Sequence, residues 1–98
     1  MTKKDEIEVI KNKILPILKE HKVTKAGIFG SFARGEQKKK SDVDLLIEID
    51  KDVSLFGVAE LKRAIEKTLR KKIDLVEYDL IRKELKKNIL NDEIPILR

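Results

Sequence analysis

Apolar residues recur along the chain at two distinct periods, and the switches between those periods divide it into elements. Ile7, Ile10, Ile14, Ile17 and Leu18 return at steps of three and four, which predicts an amphipathic helix over 4–20. Pro16 falls inside it, removes a backbone donor, and is expected to kink the helix or end it early. Val23 to Gly30 mixes Val, Thr, Ile and Phe, predicting a short strand over 25–29 and then a tight turn. Ser31-Phe32-Ala33-Arg34 reads as one helical turn closed by Gly35. The polar stretch Glu36 to Ser41, with Lys38, Lys39 and Lys40, reads as a loop. Val43, Leu45, Ile47 and Ile49 then alternate with Asp42, Asp44, Leu46 and Glu48, the clearest strand in the chain.

Ser54 is placed to cap a helix whose stripe is Leu55, Val58, Leu61, Ile65 and Leu69, running to about Arg70. Ile73 to Tyr78 predicts a third strand, with Ile73, Leu75 and Glu77 on one face and Asp74 and Val76 on the other. Asp79 is placed to cap a last helix over 80–90, with Ile81, Leu85 and Ile89 as its stripe. Ile94-Pro95-Ile96-Leu97 reads as an extended tail. The order is helix, strand, turn, strand, helix, strand, helix. It predicts an α/β (α+β) fold: a small mixed sheet of three to four strands with helices packed on it. Neither a linker nor a repeat interrupts it, so residues 1–98 are expected to form a single domain.

Charge changes the picture next. Charged residues make up 42% of the chain and Lys plus Arg exceed Asp plus Glu by 23 to 18, a formal +5 that suggests an anionic partner. The chain has no cysteine, which excludes a disulfide scaffold, a thiolate zinc site and a thiol nucleophile. The single histidine, His21, argues against a His-rich metal site or a Ser-His-Asp triad and reads as a helix-end residue. No apolar run reaches the roughly 20 residues of a membrane span, and the charged start is unlike a signal peptide. A soluble cytoplasmic protein is expected. Abundant Lys, Glu and Ile fit a heat-loving source.

Three carboxylates sit where carboxylates are costly. Asp42 and Asp44 open an apolar strand two residues apart, so both leave the same face. Asp74 holds a similar place in the third strand. If the strands are neighbours, three negative charges converge and repel unless cations hold them. Such hard oxygen donors suit Mg²⁺ or Mn²⁺, and two such ions serve phosphoryl chemistry. Upstream, Gly30-Ser31 ends a strand and opens a helical turn, where backbone donors and a hydroxyl favour a phosphate. Arg34, one turn on, is placed to add a charge-assisted contact.

Gly30-Ser31-Phe32-Ala33-Arg34-Gly35 followed by Ser41-Asp42-Val43-Asp44-Leu45 resembles the nucleotidyltransferase superfamily of DNA polymerase β. Within it the likeness is to the minimal nucleotidyltransferases, the MNT antitoxins encoded beside HEPN-domain toxins, and it covers almost the whole chain. Phe32 departs from the pattern, since relatives often carry a basic residue there. The resemblance implies that Gly30 and Ser31 hold the β and γ phosphates of ATP. It implies that Asp42 and Asp44 bind two Mg²⁺ ions, with Mn²⁺ as a substitute. Asp74 would bind the catalytic ion and help deprotonate the attacking hydroxyl. It further implies AMP transfer from ATP to a tyrosine of a partner HEPN toxin, an RNase, which is thereby silenced.

Read singly, the same residues have plainer uses. Asp-x-Asp at a strand start also serves as a solvated turn, Gly-Ser as a strand-ending turn, Asp74 as an edge carboxylate and Arg34 as half of a surface ion pair. Glu48 shares the aspartates' face but lies farther along and reads as a solvent or ion-pair residue. Two other functions stay open: a non-catalytic antitoxin that neutralises by contact, and a free-standing transferase acting on a small molecule or an RNA end. Only four aromatic residues (Phe29, Phe32, Phe56, Tyr78) speak against a nucleic-acid stacking platform.

Overall fold

The computed structural model describes residues 3–36 and 42–98. The lysine loop expected at Lys38 to Lys40, and Ser41, lie outside the described residues. The elements are α1 (Lys3–Glu20), β1 (Val23–Phe29), α2 (Gly30–Arg34), β2 (Val43–Ile49), α3 (Leu55–Leu69), β3 (Ile73–Glu77), a 3₁₀ turn (Tyr78–Leu80), α4 (Lys83–Asp92) and β4 (Ile94–Leu97). The four strands form one mixed sheet in the order β3-β2-β1-β4. Strand β1 runs antiparallel to β2 and β4, and β2 runs parallel to β3 through the α3 crossover.

One face of the sheet carries the main core. Ile10, Ile14 and Leu18 of α1 and Leu61 and Ile65 of α3 close over Ala26, Ile28, Val43, Leu45, Ile47 and Ile73. Every second residue of β2 therefore points into an apolar layer, as its alternation required. Leu46, on the opposite face, is also fully buried, and Tyr78 is nearly so. The front face is thus not simply open to water. No helix among the described residues is long and apolar enough to cross a membrane.

The expected elements form, with four differences. Helix α1 continues through Pro16 to Glu20. Pro16 is exposed, and so is Asn12, whose carbonyl loses its helical partner to the ring but stays open to water. The expected tail is a strand. Ile96 is buried in the core and Pro95 pairs opposite Gly27 on an edge, where a missing donor is tolerated. Asp79 does not cap the last helix. It lies inside the 3₁₀ turn, and α4 begins after Arg82 and buries no residue. Leu55, read as part of the α3 stripe, is 87% exposed. Ser54 does cap that helix, its hydroxyl accepting the Gly57 N–H at 3.3 Å. His21 closes α1 as expected, its Nδ1 donating to the Ile17 carbonyl at 2.8 Å.

Candidate active site

The parallel pairing of β2 with β3 decides the geometry. Its register sets Asp44 directly opposite Asp74, and it begins at Val43 opposite Ile73. The two carboxyl groups come within hydrogen-bonding reach of each other. Asp44 is half-buried, and its pKa is pushed up to about 6, first by burial, then by the charge and hydrogen bond of Asp74 and the charge of Asp42. Arg34 works in the other direction, its positive charge offsetting part of the rise.

Asp42 is less firmly placed. It precedes the first ladder pair, so no cross-strand bond fixes it, and it is exposed. Its charge reaches Asp44, yet among the described residues no three acidic, histidine or cysteine side chains stand close enough to hold an ion between them. The expected convergence is thus met by the Asp44–Asp74 pair and not by the full trio. The residues still fit a hard divalent cation. The donors are all oxygen, and two mutually repelling carboxyls are what such an ion relieves. Mg²⁺ commonly takes one or two carboxylates and fills its shell with water and substrate phosphate.

The Gly30-Ser31 turn is built onto this pair. Phe29, the last residue of β1, sits opposite Asp44, so the turn starts where the aspartate stands. Gly30 has φ +73°, and a Cβ there would overlap the Asp44 carboxylate. Only glycine meets both demands. The first backbone N–H groups of α2 have no partner within the helix, and groups so placed favour an anion. Phe32, the departure from the family pattern, is buried in the core. Its burial anchors the turn to the core.

Arg34 is tethered rather than free. Its Nε lies 3.1 Å from Glu36 Oε2 and its Nη1 lies 3.4 Å from Asp92 Oδ2. These hydrogen bonds hold its pKa above the ordinary value. Asp92 is 58 positions away, and no spacing rule in the sequence points to it. Beside it, Glu93 packs over Gly27, accepts the Tyr78 hydroxyl and pairs with Arg98 at 2.8 Å. Burial and that carboxylate push the Tyr78 hydroxyl up. The Lys25 ammonium stands 4.4 Å from the Tyr78 ring centre. This cluster clamps the start of β4 to the sheet. Its signal in the sequence was faint: two adjacent acids, Asp92 and Glu93, ahead of an apolar run.

A half-sheet with Gly-Ser at the end of one strand and paired aspartates on the next two is the arrangement of a nucleotidyltransferase. Residues 12–98 match the polymerase beta nucleotidyltransferase family, and the chain belongs to it. A Methanocaldococcus jannaschii protein named "putative protein adenylyltransferase MJ0435" is 45% identical over 91 residues, covering 93% of this chain and 98% of that protein. The protein adenylyltransferase MntA of Thermococcus cleftensis is 35% identical over 72 residues, covering 74% of this chain and 73% of that one. The fold also matches a chain in the structure of tri-AMPylated Shewanella oneidensis HEPN toxin in complex with MNT antitoxin. That match has a TM-score of 0.69 at 19% identity and covers 91% of this chain and 70% of that chain.

Proposed function

We propose that residues 1–98 act as one minimal nucleotidyltransferase domain. In this reading the chain transfers AMP from ATP to a hydroxyl, a tyrosine, of a HEPN-domain toxin, and so serves as its antitoxin in the cytoplasm. The observation that carries the reading is the packing of the Gly30 turn directly against the Asp44–Asp74 pair. In this reading the turn is the phosphate grip and the aspartate pair beside it is the cation site. The names of the relatives, which speak of protein adenylyltransferases and an AMPylated toxin, support AMP as the group and protein as the acceptor.

In the proposed reaction, the backbone of Gly30 and the hydroxyl of Ser31 hold the β and γ phosphates. The acceptor oxygen bonds to the α phosphorus, the bridge to the β phosphate breaks, and pyrophosphate leaves. Asp74 takes the hydroxyl proton. Asp44 and Asp74 would hold Mg²⁺, with exposed Asp42 joining them once nucleotide is bound, and the ion would supply charge neutralisation to the triphosphate and acidity to the attacking hydroxyl. Arg34 exchanges Asp92 for a phosphate oxygen as ATP arrives.

Calorimetric titration with a non-hydrolysable ATP analogue, with and without Mg²⁺, tests the site. Wild type is expected to bind only with metal, and Asp42→Ala is expected to lose that binding. Labelled ATP with a HEPN-domain toxin as acceptor then tests the second half of the reading. Silencing of that protein by Asp42→Ala without ATP would favour neutralisation by contact instead.

A further inference from the structure

The end of the sheet away from the aspartates carries a second feature, which the proposed reaction leaves unused. Leu55 and Phe56 open α3 and are 87% and 85% exposed. Leu55 lies on the rim of a cavity of about 500 Å³ between the ends of β2 and β3 and the start of α3, and Phe56 follows it in the helix. Ile49, Val53 and Val58 give that cavity an apolar floor. Its polar lining is acidic: Glu48, Asp50, Glu77 and Asp79, against Lys51 alone among the basic residues. The chain as a whole is +5, so this patch reverses the sign of its surroundings.

Two neighbouring apolar side chains this exposed mark an interaction surface more often than chance. The charge selects the occupant. A nucleic acid or an anionic membrane would be repelled by the rim. A second copy related by a two-fold axis would set acid against acid. A basic amphipathic segment satisfies both parts, placing an apolar side chain over the cavity floor and Lys or Arg against the carboxylates.

We infer that this end of the molecule is the docking surface for a basic, amphipathic segment of the protein that receives AMP. The inference rests on the reading of that acceptor as a protein. Asp44 and the cavity lie toward opposite ends of β2: Glu48 and Ile49 of its lining are four and five residues from Asp44, roughly 13–17 Å at about 3.3 Å per residue. The partner is therefore gripped at one end of the sheet while its hydroxyl is presented at the other. The grip leaves the nucleotide site open.

The test is titration of a HEPN-domain toxin, one that wild type modifies with labelled ATP, into wild type, L55S/F56S and E48K/D79K. All four altered residues are exposed, so the fold is retained. Each double variant is expected to weaken partner binding at least tenfold, while binding of Mg²⁺ and the ATP analogue is unchanged. Raising salt from about 50 to 500 mM is expected to weaken wild-type binding and to leave the E48K/D79K variant nearly unaffected. Unchanged partner affinity in both variants would overturn the docking surface and leave the proposed function standing. Wild type that binds nucleotide and not this protein would overturn the acceptor and the docking surface together. Self-association by sedimentation velocity that L55S/F56S abolishes would assign the surface to a second copy and overturn the inference.

Discussion

Asp44 and Glu48 stand on the same face of β2, four residues apart, and the strand treats them differently. Asp44 is half-buried, lies opposite another carboxyl and has a glycine turn packed against it, so its pKa rises to about 6. Glu48 is exposed at the rim of an open cavity. The residue types are equivalent; the neighbours are not. Carboxylates held close and half out of water store repulsion that a cation can relieve. Carboxylates spread around a wet rim give a long-range field that can sort partners by charge. The first arrangement suits chemistry and the second suits recognition.

The largest expected effect breaks the Asp44 end. Asp42→Asn or Asp74→Asn should lower AMP transfer by about a hundred- to a thousandfold or more, with circular dichroism unchanged. E48K, two pleats along the same face, should leave transfer to saturating acceptor intact. Equal losses in all three proteins would erase the distinction between the two ends.

How much of this was legible depended on whether neighbours in sequence or neighbours in space decide. Strand β2 was plain because Val43, Leu45, Ile47 and Ile49 alternate, and Asp42-x-Asp44 lay on it. Asp74 could be suspected, but its pairing with Asp44 required the parallel register that the α3 crossover enforces. Gly30 looked like a turn glycine, and only the fold shows that Asp44 occupies the space of its absent side chain. β4 was missed because four residues with a proline carry no period, and its strand character comes from docking on β1. Leu55 fitted a helical stripe, yet it is the first residue of α3 and overhangs the sheet's end, so periodicity assigned it to a core that does not reach it. Arg34's hold on Asp92 and the cavity beside Leu55 are tertiary and left no local trace.

A smaller effect is expected from the turn. Gly30→Ala places a Cβ on the Asp44 carboxylate in a left-handed backbone. It should destabilise the chain by about 1–3 kcal/mol in urea titration and weaken Mg²⁺-dependent nucleotide binding in parallel. Gly57→Ala, near the docking end, should leave nucleotide binding unchanged. Loss of nucleotide binding in both would show that the turn has no special role.

Asp44→Asn sharpens the contrast through pH. The folded pKa of Asp44, about 6, lies above its unfolded value of 3.8. The folded state therefore holds more protons between those values, and its stability falls as pH rises through that window, then levels off. In metal-free buffer, Asp44→Asn should match wild type near pH 4 and become the more stable protein by pH 7. The gain should be on the order of 1 kcal/mol, since the carboxyl is only half-buried and solvent screens part of the repulsion. Adding Mg²⁺ should reverse the order by stabilising wild type alone. Melting curves of both proteins at pH 4 and pH 7, with EDTA and with Mg²⁺, would check this. A stability gap that does not change with pH would show that the Asp44–Asp74 repulsion is not what distinguishes this end of the strand.

The smallest effect concerns Arg34. Its partners Glu36 and Asp92 are exposed, and exposed ion pairs contribute little to folding. Arg34→Ala should therefore leave the melting temperature close to wild type. Its charge nevertheless sits near enough to offset part of the rise at Asp44. Loss of that charge should weaken binding of the ATP analogue by roughly tenfold, with a smaller loss for the diphosphate if the guanidinium reaches the terminal phosphate. Asp92→Asn separates the two roles of the residue. It frees Arg34 from one tether without removing the cation, so nucleotide affinity should hold or rise while Arg34→Ala loses it. If both substitutions weaken binding equally, Arg34 serves only to brace α2 against α4, and the phosphate grip is confined to the Gly30-Ser31 backbone.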